Sequence, residues 1–300
     1  MHVLLTGGTG FLGRALIQAL LRRGDRCTVV SRSGRDVWRQ ASVRVIRADP
    51  TRPGEWQGAV VGVDAVVNLA GERVVHPLHP WTAARKAAIT ASRVETARRL
   101  AEAIGAAASR PRVFVSASGV NYYGPHGDET LEERAPPGDD FLARLCVAWE
   151  GAARTAAAVT HVALVRTGLV LAADAPLLAP LLPCFRLGLG GSWGDGRGWW
   201  SWIHLADYVG LVLLALDEAL EGPLNVTAPQ PVTVDEFTTG LGRALHRPVL
   251  FRMPAVGLRL ALGEAADALL HLQRVVPARA LAAGYRFRFP TLGEALADIF

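Results

Sequence analysis

The sequence predicts an α/β fold: a doubly wound parallel sheet followed by a smaller, mainly helical C-terminal region. Three observations carry that expectation. Short apolar runs alternate with helical stretches over about the first 170 residues, the pattern of successive βα units. The first apolar run, Val3-Leu4-Leu5, ends in spaced glycines and opens directly into a helix. After Leu171 the texture changes, with Pro176, Pro180 and Pro183 breaking the chain and a Gly- and Trp-rich stretch over 188–198. Residues 1–170 are therefore expected to form the sheet domain and 171–300 a substrate or capping region. Part of 201–228 is expected to pack back on the sheet.

The first strand and helix hold the sharpest signal. Gly7, Gly10 and Gly13 stand in a G-x-x-G-x-x-G spacing, a variant of the dinucleotide fingerprint. Gly7 permits the tight turn, Gly10 lets the backbone approach a pyrophosphate, and Gly13 lets the helix pack close on the strand. Phe11 and Leu12 then lie at the positive end of the helix, where free N–H groups receive phosphates. The competing reading is a tight turn with a purely structural role. No Gly-Lys-Ser/Thr follows the glycines, so this is not a nucleoside-triphosphate loop.

A second strand over 26–30 ends at Ser31-Arg32-Ser33. An Asp or Glu is expected there if NAD is bound, to grip the ribose 2′-hydroxyl. Ser31 and Arg32 favour NADP instead, because a guanidinium suits a 2′-phosphate. Arg35 is placed to help. A third strand over 43–49 brings Asp49 to the adenine edge, and a fourth over 65–71 ends in Leu69, Ala70 and Gly71 facing the cofactor. A helix over 81–104 holds Lys86, Ser92 and Arg93. Arg93 is read as a cofactor contact, against a surface salt bridge. The fifth strand, 113–118, leads through Ser118 to Tyr122-Tyr123, either chemically active phenols or core aromatics. A helix over 141–158 and a strand over 162–166 follow. The latter runs into Gly168-Leu169-Val170, beside which the nicotinamide is expected. Beyond it, Trp193, Trp199, Trp200 and Trp202 read as a capping or pocket-lining loop, or as core anchors. Helix 211–219, a short strand 224–226 and a helix opened by Thr233-x-x-Glu236 precede an α-rich tail.

Half of the 300 residues are hydrophobic and 20% are charged, which supports a sizeable core and argues against disorder. No apolar run is long enough for a bilayer, and Met1-His2-Val3 leads straight into a strand, so a cytoplasmic protein without a membrane partner is expected. Cys27, Cys146 and Cys184 are far apart and odd in number, without metal or disulfide spacing. The formal charge of +5 comes from scattered arginines, which excludes a nucleic-acid face. His204 and Asp207 are read as an interdomain hydrogen bond, and His76 and His79 have no third ligand, so no metal is expected. The expected partner is a small-molecule substrate, and the chain is a monomer or homodimer.

These motifs resemble the extended short-chain dehydrogenase/reductases of the NAD-dependent epimerase/dehydratase superfamily. Asn68-Leu69-Ala70-Gly71-Glu72, Ser92-Arg93, Tyr122-Tyr123-Gly124, Trp149-Glu150 and Ser201-Trp202-Ile203-His204 are similar to one atypical branch, the epimerase-like SDR39U1/YfcH-type family. The resemblance covers essentially the whole chain. It implies an extended Rossmann fold and NADP(H) binding, with Ser118 in the place of the superfamily's substrate-positioning Ser/Thr. The superfamily's Tyr and Lys, four residues apart on the helix after the fifth strand, are replaced by Leu142 and Cys146. Lys86 is the sole lysine and lies on another helix. With Ser118 and Tyr122 as catalytic candidates, the leading expectation is an NADP-dependent oxidoreductase or epimerase-like enzyme using hydride transfer. The alternative is a non-catalytic NADP(H)-binding sensor or interaction protein.

Overall fold

Seven parallel strands make the frame of the molecule in a computed structural model that describes residues 1–75, 80–270 and 273–300. His76 and His79 lie outside the described residues. The strands are β1 (His2–Thr6), β2 (Arg26–Ser31), β3 (Val43–Arg47), β4 (Ala65–Asn68), β5 (Val113–Gly119), β6 (His161–Thr167) and β7 (Gly222–Val226). They lie in the spatial order β3-β2-β1-β4-β5-β6-β7, with every neighbouring pair parallel. The order reverses between β1 and β4, so a crevice opens there at the carboxyl ends of the strands.

Alternation of side chains along each strand feeds two cores. Val3, Leu5 and Val29 point to the face covered by Leu16, Ile17 and Leu20 of α1 (Phe11–Arg22) and by Val209, Val212 and Leu216 of a long apolar helix. Leu4, Val66 and Phe114 point the other way, under Leu100 and Ile104 of α2 (Ala83–Ala106) and Trp149 and Ala153 of α3 (Phe141–Arg154). Burial on both faces explains why the strands read as continuous apolar runs. The long apolar helix is α4 (Leu205–Asp217), which begins six residues before the expected start at Leu211 and ends two before the expected end at Ala219. His204 is the reason: its Nδ1 accepts the Ala206 N–H at 3.1 Å and caps the first turn. The short strand expected at 224–226 is β7, paired with β6 from Gly222↔Ala163 to Val226↔Thr167.

The C-terminal region builds its own core around Trp200, Trp202 and Phe237, with α5 (Val234–Ala244) and α6 (Leu292–Ile299) packed over it. Thr233 and Glu236 close a capping box at the start of α5. Trp200 and Trp202 are 1% and 0% exposed, so two of the four clustered tryptophans are core anchors. Among the described residues no helix is long and apolar enough to cross a membrane.

Asp207 fastens the C-terminal region to the sheet domain. Its buried carboxylate accepts the N–H groups of Arg288 at 2.8 Å and Phe289 at 2.9 Å, and the Tyr285 hydroxyl at 3.2 Å. It also sits in the first turn of α4, where a negative charge is favoured. Hydrogen bonds to a charged group are each worth about 1.5–3 kcal/mol. Asp207→Ala is therefore expected to lower stability by about 3 kcal/mol, read as a drop in the urea midpoint, with Asp207→Asn losing less.

Candidate functional site

The crevice begins as an outer cleft of about 360 Å³ between the ends of β1, β2, β3 and β4. Gly7 makes its floor. Gly7 has φ +72°, and a Cβ there would fall 2.5 Å from the Leu69 carbonyl carbon, so only glycine fits. Gly13 lies beneath, where a Cβ would meet the Gly7 carbonyl oxygen at 2.4 Å. The helix that follows is open to an anion: Gly10 provides no side-chain cap, and the first turn of α1 carries no acidic residue. Gly10, Ser31, Arg32, Asp49, Leu69, Ala70 and Gly71 all line the cleft. Arg32 is 71% exposed and donates to Glu72 at 3.1 Å. Burial raises the Asp49 carboxyl, but hydrogen bonds from the Thr51 N–H and hydroxyl outweigh it and hold the group below the usual carboxylate range.

Past Leu69, Ala70 and Gly71 the cleft continues into an inner chamber of about 220 Å³. Leu12, Arg93, Ser118 and Asn121 line it, with Leu142, Cys146 and Trp149 from α3. The Arg93 guanidinium lies against the Gly71 backbone and 5.3 Å from the Trp149 ring centre. Its Nη1 donates to the Ile89 carbonyl at 3.2 Å. Among the described residues no carboxylate pairs with it, and burial lowers its pKa. Leu142 and Cys146 stand one turn apart on α3, and burial pushes the Cys146 thiol up to about 11, so it stays neutral. Lys86 is elsewhere, paired with Glu264 at 2.6 Å.

Asn121, Leu142, Val74 and Thr167 also line a second chamber of about 310 Å³, whose lining includes Gly168, Leu169, Ser201 and Gln273 as well. This chamber lies between the sheet domain and the C-terminal region. Asn121, Thr167 and Gln273 are the lining residues that pattern reading passes over. Asn121 sits in the short helix Val120–Tyr123 just beyond β5, and the turn-ready residue after a strand end is the signal that marks it.

Some expected residues stand apart. Phe11 packs on the C-terminal core and Val170 on the core beneath β1, so neither lines the crevice by side chain. Arg35 is absent from the lining as well. Tyr122 lies outside all three cavities, packed with Val120, Tyr123, Leu131 and Val275. The Arg166 guanidinium covers its ring at 3.4 Å from the centroid, which turns it into a packing residue.

Behind the inner chamber runs a buried polar network. Arg166 and Glu150, with side chains 2% and 0% exposed, pair through Nε–Oε1 at 2.8 Å and Nη2–Oε2 at 3.0 Å. Burial works against the Arg166 charge, but Glu150 outweighs it and raises the pKa. The Ser118 hydroxyl donates to Glu150 Oε1 at 2.8 Å. Arg166 Nη1 donates to the Tyr123 hydroxyl at 3.0 Å, which in turn donates to Asn225 Oδ1 at 2.6 Å. Ser118 therefore faces the chamber with its lone pairs, as an acceptor.

Comparison with known proteins agrees with this geometry. Residues 3–227 match the NAD dependent epimerase/dehydratase family, and residues 253–299 match a domain of unknown function, DUF1731. The chain is 41% identical to the Bos taurus epimerase family protein SDR39U1, covering 100% of this chain and 99% of the relative. It is 37% identical to the chloroplastic SDR39U1 homologue of Arabidopsis thaliana, covering 100% and 86%. The crystal structure of human SDR39U1 (isoform 2) with NADPH superposes with a TM-score of 0.88, at 37% identity over 100% of this chain and 99% of that one.

The buried pair tests how the chamber wall is held. Removing one partner of a buried ion pair costs about 3–5 kcal/mol, because the other charge is stranded. Arg166→Leu leaves Glu150 the half-exposed Arg154 at 3.0 Å and the Ser118 hydroxyl, so a loss at the lower end, about 3 kcal/mol, is expected in urea unfolding, with Glu150→Leu combined with Arg166→Leu recovering most of it. Equal losses in the single and double variants would show that packing, not the stranded carboxylate, sets the cost.

Proposed function

We propose a function from one premise: the chain belongs to the NAD dependent epimerase/dehydratase family, in its SDR39U1-type branch. It binds NADP(H) along the outer cleft and inner chamber, and acts as an oxidoreductase or epimerase-like enzyme on a small molecule. One observation carries the reading: the cleft runs on through the inner chamber into a second space of about 310 Å³ between the two regions, where a packed wall would have left no room for substrate. The NADPH in the human relative's crystal structure supports the cofactor.

The residues fit that cofactor. The uncapped N–H groups of Phe11 and Leu12 receive the pyrophosphate. Arg32 exchanges Glu72 for a 2′-phosphate, and Asp49 accepts from the adenine. Arg93 offers its free Nε and Nη2 hydrogens to cofactor oxygens in the inner chamber. When bound, the nicotinamide supplies or accepts a hydride. The Asn121 amide donates to the substrate carbonyl oxygen, and Ser118 accepts from a substrate or cofactor hydrogen. In the reducing direction the carbonyl carbon gains the hydride and the oxygen takes its proton from water. Among the described residues no phenol or ammonium lines the chambers, which makes turnover slow. The same feature favours the second reading, a cofactor-sensing protein without turnover.

The deciding experiment is NADPH oxidation across a library of aldehydes, ketones and nucleotide sugars. Turnover with any of them supports the enzyme; tight NADPH binding with no turnover supports the sensor. With an active substrate, Asn121→Ala is expected to lower kcat/KM by about tenfold to a hundredfold. Tyr122→Phe is expected to leave the rate unchanged, and a tenfold loss there would restore the phenol as proton donor. Arg32→Ala is expected to narrow the NADPH-over-NADH affinity ratio by about tenfold, the loss of one charge-assisted contact.

A further inference from the structure

A fourth cavity, of about 230 Å³, lies in the C-terminal region and shares two lining residues, Leu177 and Leu269, with the second chamber. Its wall is aromatic and aliphatic: Leu181, Phe185, Trp193, Trp200, Met253 and Leu258. Among the described residues no charged side chain lines it. Of its polar lining, the Ser192 hydroxyl is already donated to Asp235 Oδ1. The wall is preformed, because Trp200 is held between Trp193, at 5.1 Å between ring centres, and Phe237, at 4.3 Å. Leu189, Phe251 and Met253 form an exposed apolar mouth.

The second chamber carries one charged lining side chain among the described residues, Arg73. A nucleoside diphosphate reaching from that chamber past Leu177 and Leu269 would place its charges and hydroxyls in a space where the described residues offer no cation and few polar partners, the unpaired Trp200 indole N–H among them, at a large desolvation cost. A hydrocarbon or aryl chain gains there what buried apolar surface always gains. We propose that this cavity is the tail pocket of the substrate site. The substrates are carbonyl or hydroxyl compounds with an extended apolar chain, whose reacting end sits by Ser118 and Asn121 and whose chain runs between Leu177 and Leu269. The proposal deepens the hydride-transfer reading and rests on it for the reacting end only.

Cys184 gives a readout independent of turnover. It lines the cavity and is exposed, while Cys27 and Cys146 are buried. Alkylation of Cys184 in the full chain by N-ethylmaleimide, followed by mass spectrometry, is compared with 1-butanol and 1-decanol present. Decanol is expected to slow labelling about tenfold where butanol at the same concentration does nothing, with affinity rising about fourfold per methylene until the cavity is full. Leu181→Trp, which fills the cavity, is expected to abolish protection with NADPH affinity unchanged. Leu258→Glu, which places a charge in the wall, is expected to do the same where the tryptophan variant folds poorly. Equal effects of the two alcohols, protection surviving both variants, or protection that tracks protein concentration because a second copy covers the cavity would each overturn the proposal. If NADPH fails to bind while decanol still protects, the cofactor reading fails and the apolar pocket stands. If NADPH binds without any chain-length dependence, only the tail pocket fails.

Discussion

The buried pairing of Arg166 with Glu150 is the constraint around which the site is arranged. Both charges are out of water, so their lone pairs and N–H groups need partners; apart from Arg154, one turn along α3 from Glu150, those partners come from different parts of the chain. Glu150 comes from α3, Arg166 from β6, and Ser118 from the end of β5. Arg166 reaches the Glu133 carbonyl, and the Glu133 carboxylate accepts the Asn225 N–H of β7 at 3.0 Å and the Arg279 N–H at 3.2 Å. The Asn225 side chain donates onward to the Val276 carbonyl at 2.9 Å. One network therefore fixes α3 against three strands of the sheet and draws the C-terminal segment onto its edge.

That network also decides what the inner chamber can do. Ser118 spends its proton on Glu150 and becomes an acceptor, the reverse of a hydroxyl that polarises a carbonyl. Tyr123 passes its proton to Asn225, and burial pushes its pKa up to about 12, so it titrates out of reach of neutral pH. Tyr122 is held flat under Arg166. Among the described residues the side-chain donors left around the chamber include Asn121 from the turn after β5, Arg93 from α2 and the unpartnered indole N–H of Trp149 from α3. Positive charge thus enters from the helix opposite α3, where Cys146 is neutral.

What the sequence reveals follows from how local each feature is. Gly7, Gly10, Arg32, Asp49 and Leu69-Ala70-Gly71 were legible because each ends a strand of a parallel sheet, and the carboxyl ends of such strands meet in one crevice. That the Phe11 and Val170 side chains turn away from the crevice was not legible, because which way a side chain turns depends on the C-terminal core and the far face of the sheet. The start of α4 was hidden behind His204, a cap that hydropathy ignores. Ser118 stands at the end of β5 beside the inner chamber, but its hydrogen-bond direction depends on Glu150, 32 residues along the chain. The second chamber draws Gln273 and Thr167 into one wall set, a meeting that no local pattern encodes.

The cavities change character along one line, and the change follows the division of labour between the two regions. At the sheet end, strand termini and the first turn of α1 expose N–H groups, Arg32 and Asp49, an environment that suits phosphates and a purine. Further on, Arg93, Ser118 and Asn121 supply a few directed polar contacts among Leu12, Leu142 and Trp149. Beyond Leu177 and Leu269 the walls are Trp193, Trp200, Phe185 and Met253. The C-terminal region can afford so apolar a surface because its own core, anchored by Trp200 and Trp202, continues into the wall rather than stopping beneath it. A ligand chain lying there completes packing that begins with Phe237. The straps from Asp207 to residues 288 and 289, and from Asn225 to residue 276, tie the segment beyond residue 275 to the helix and strand that carry the sheet domain's edge, and so hold the two regions together around the chambers.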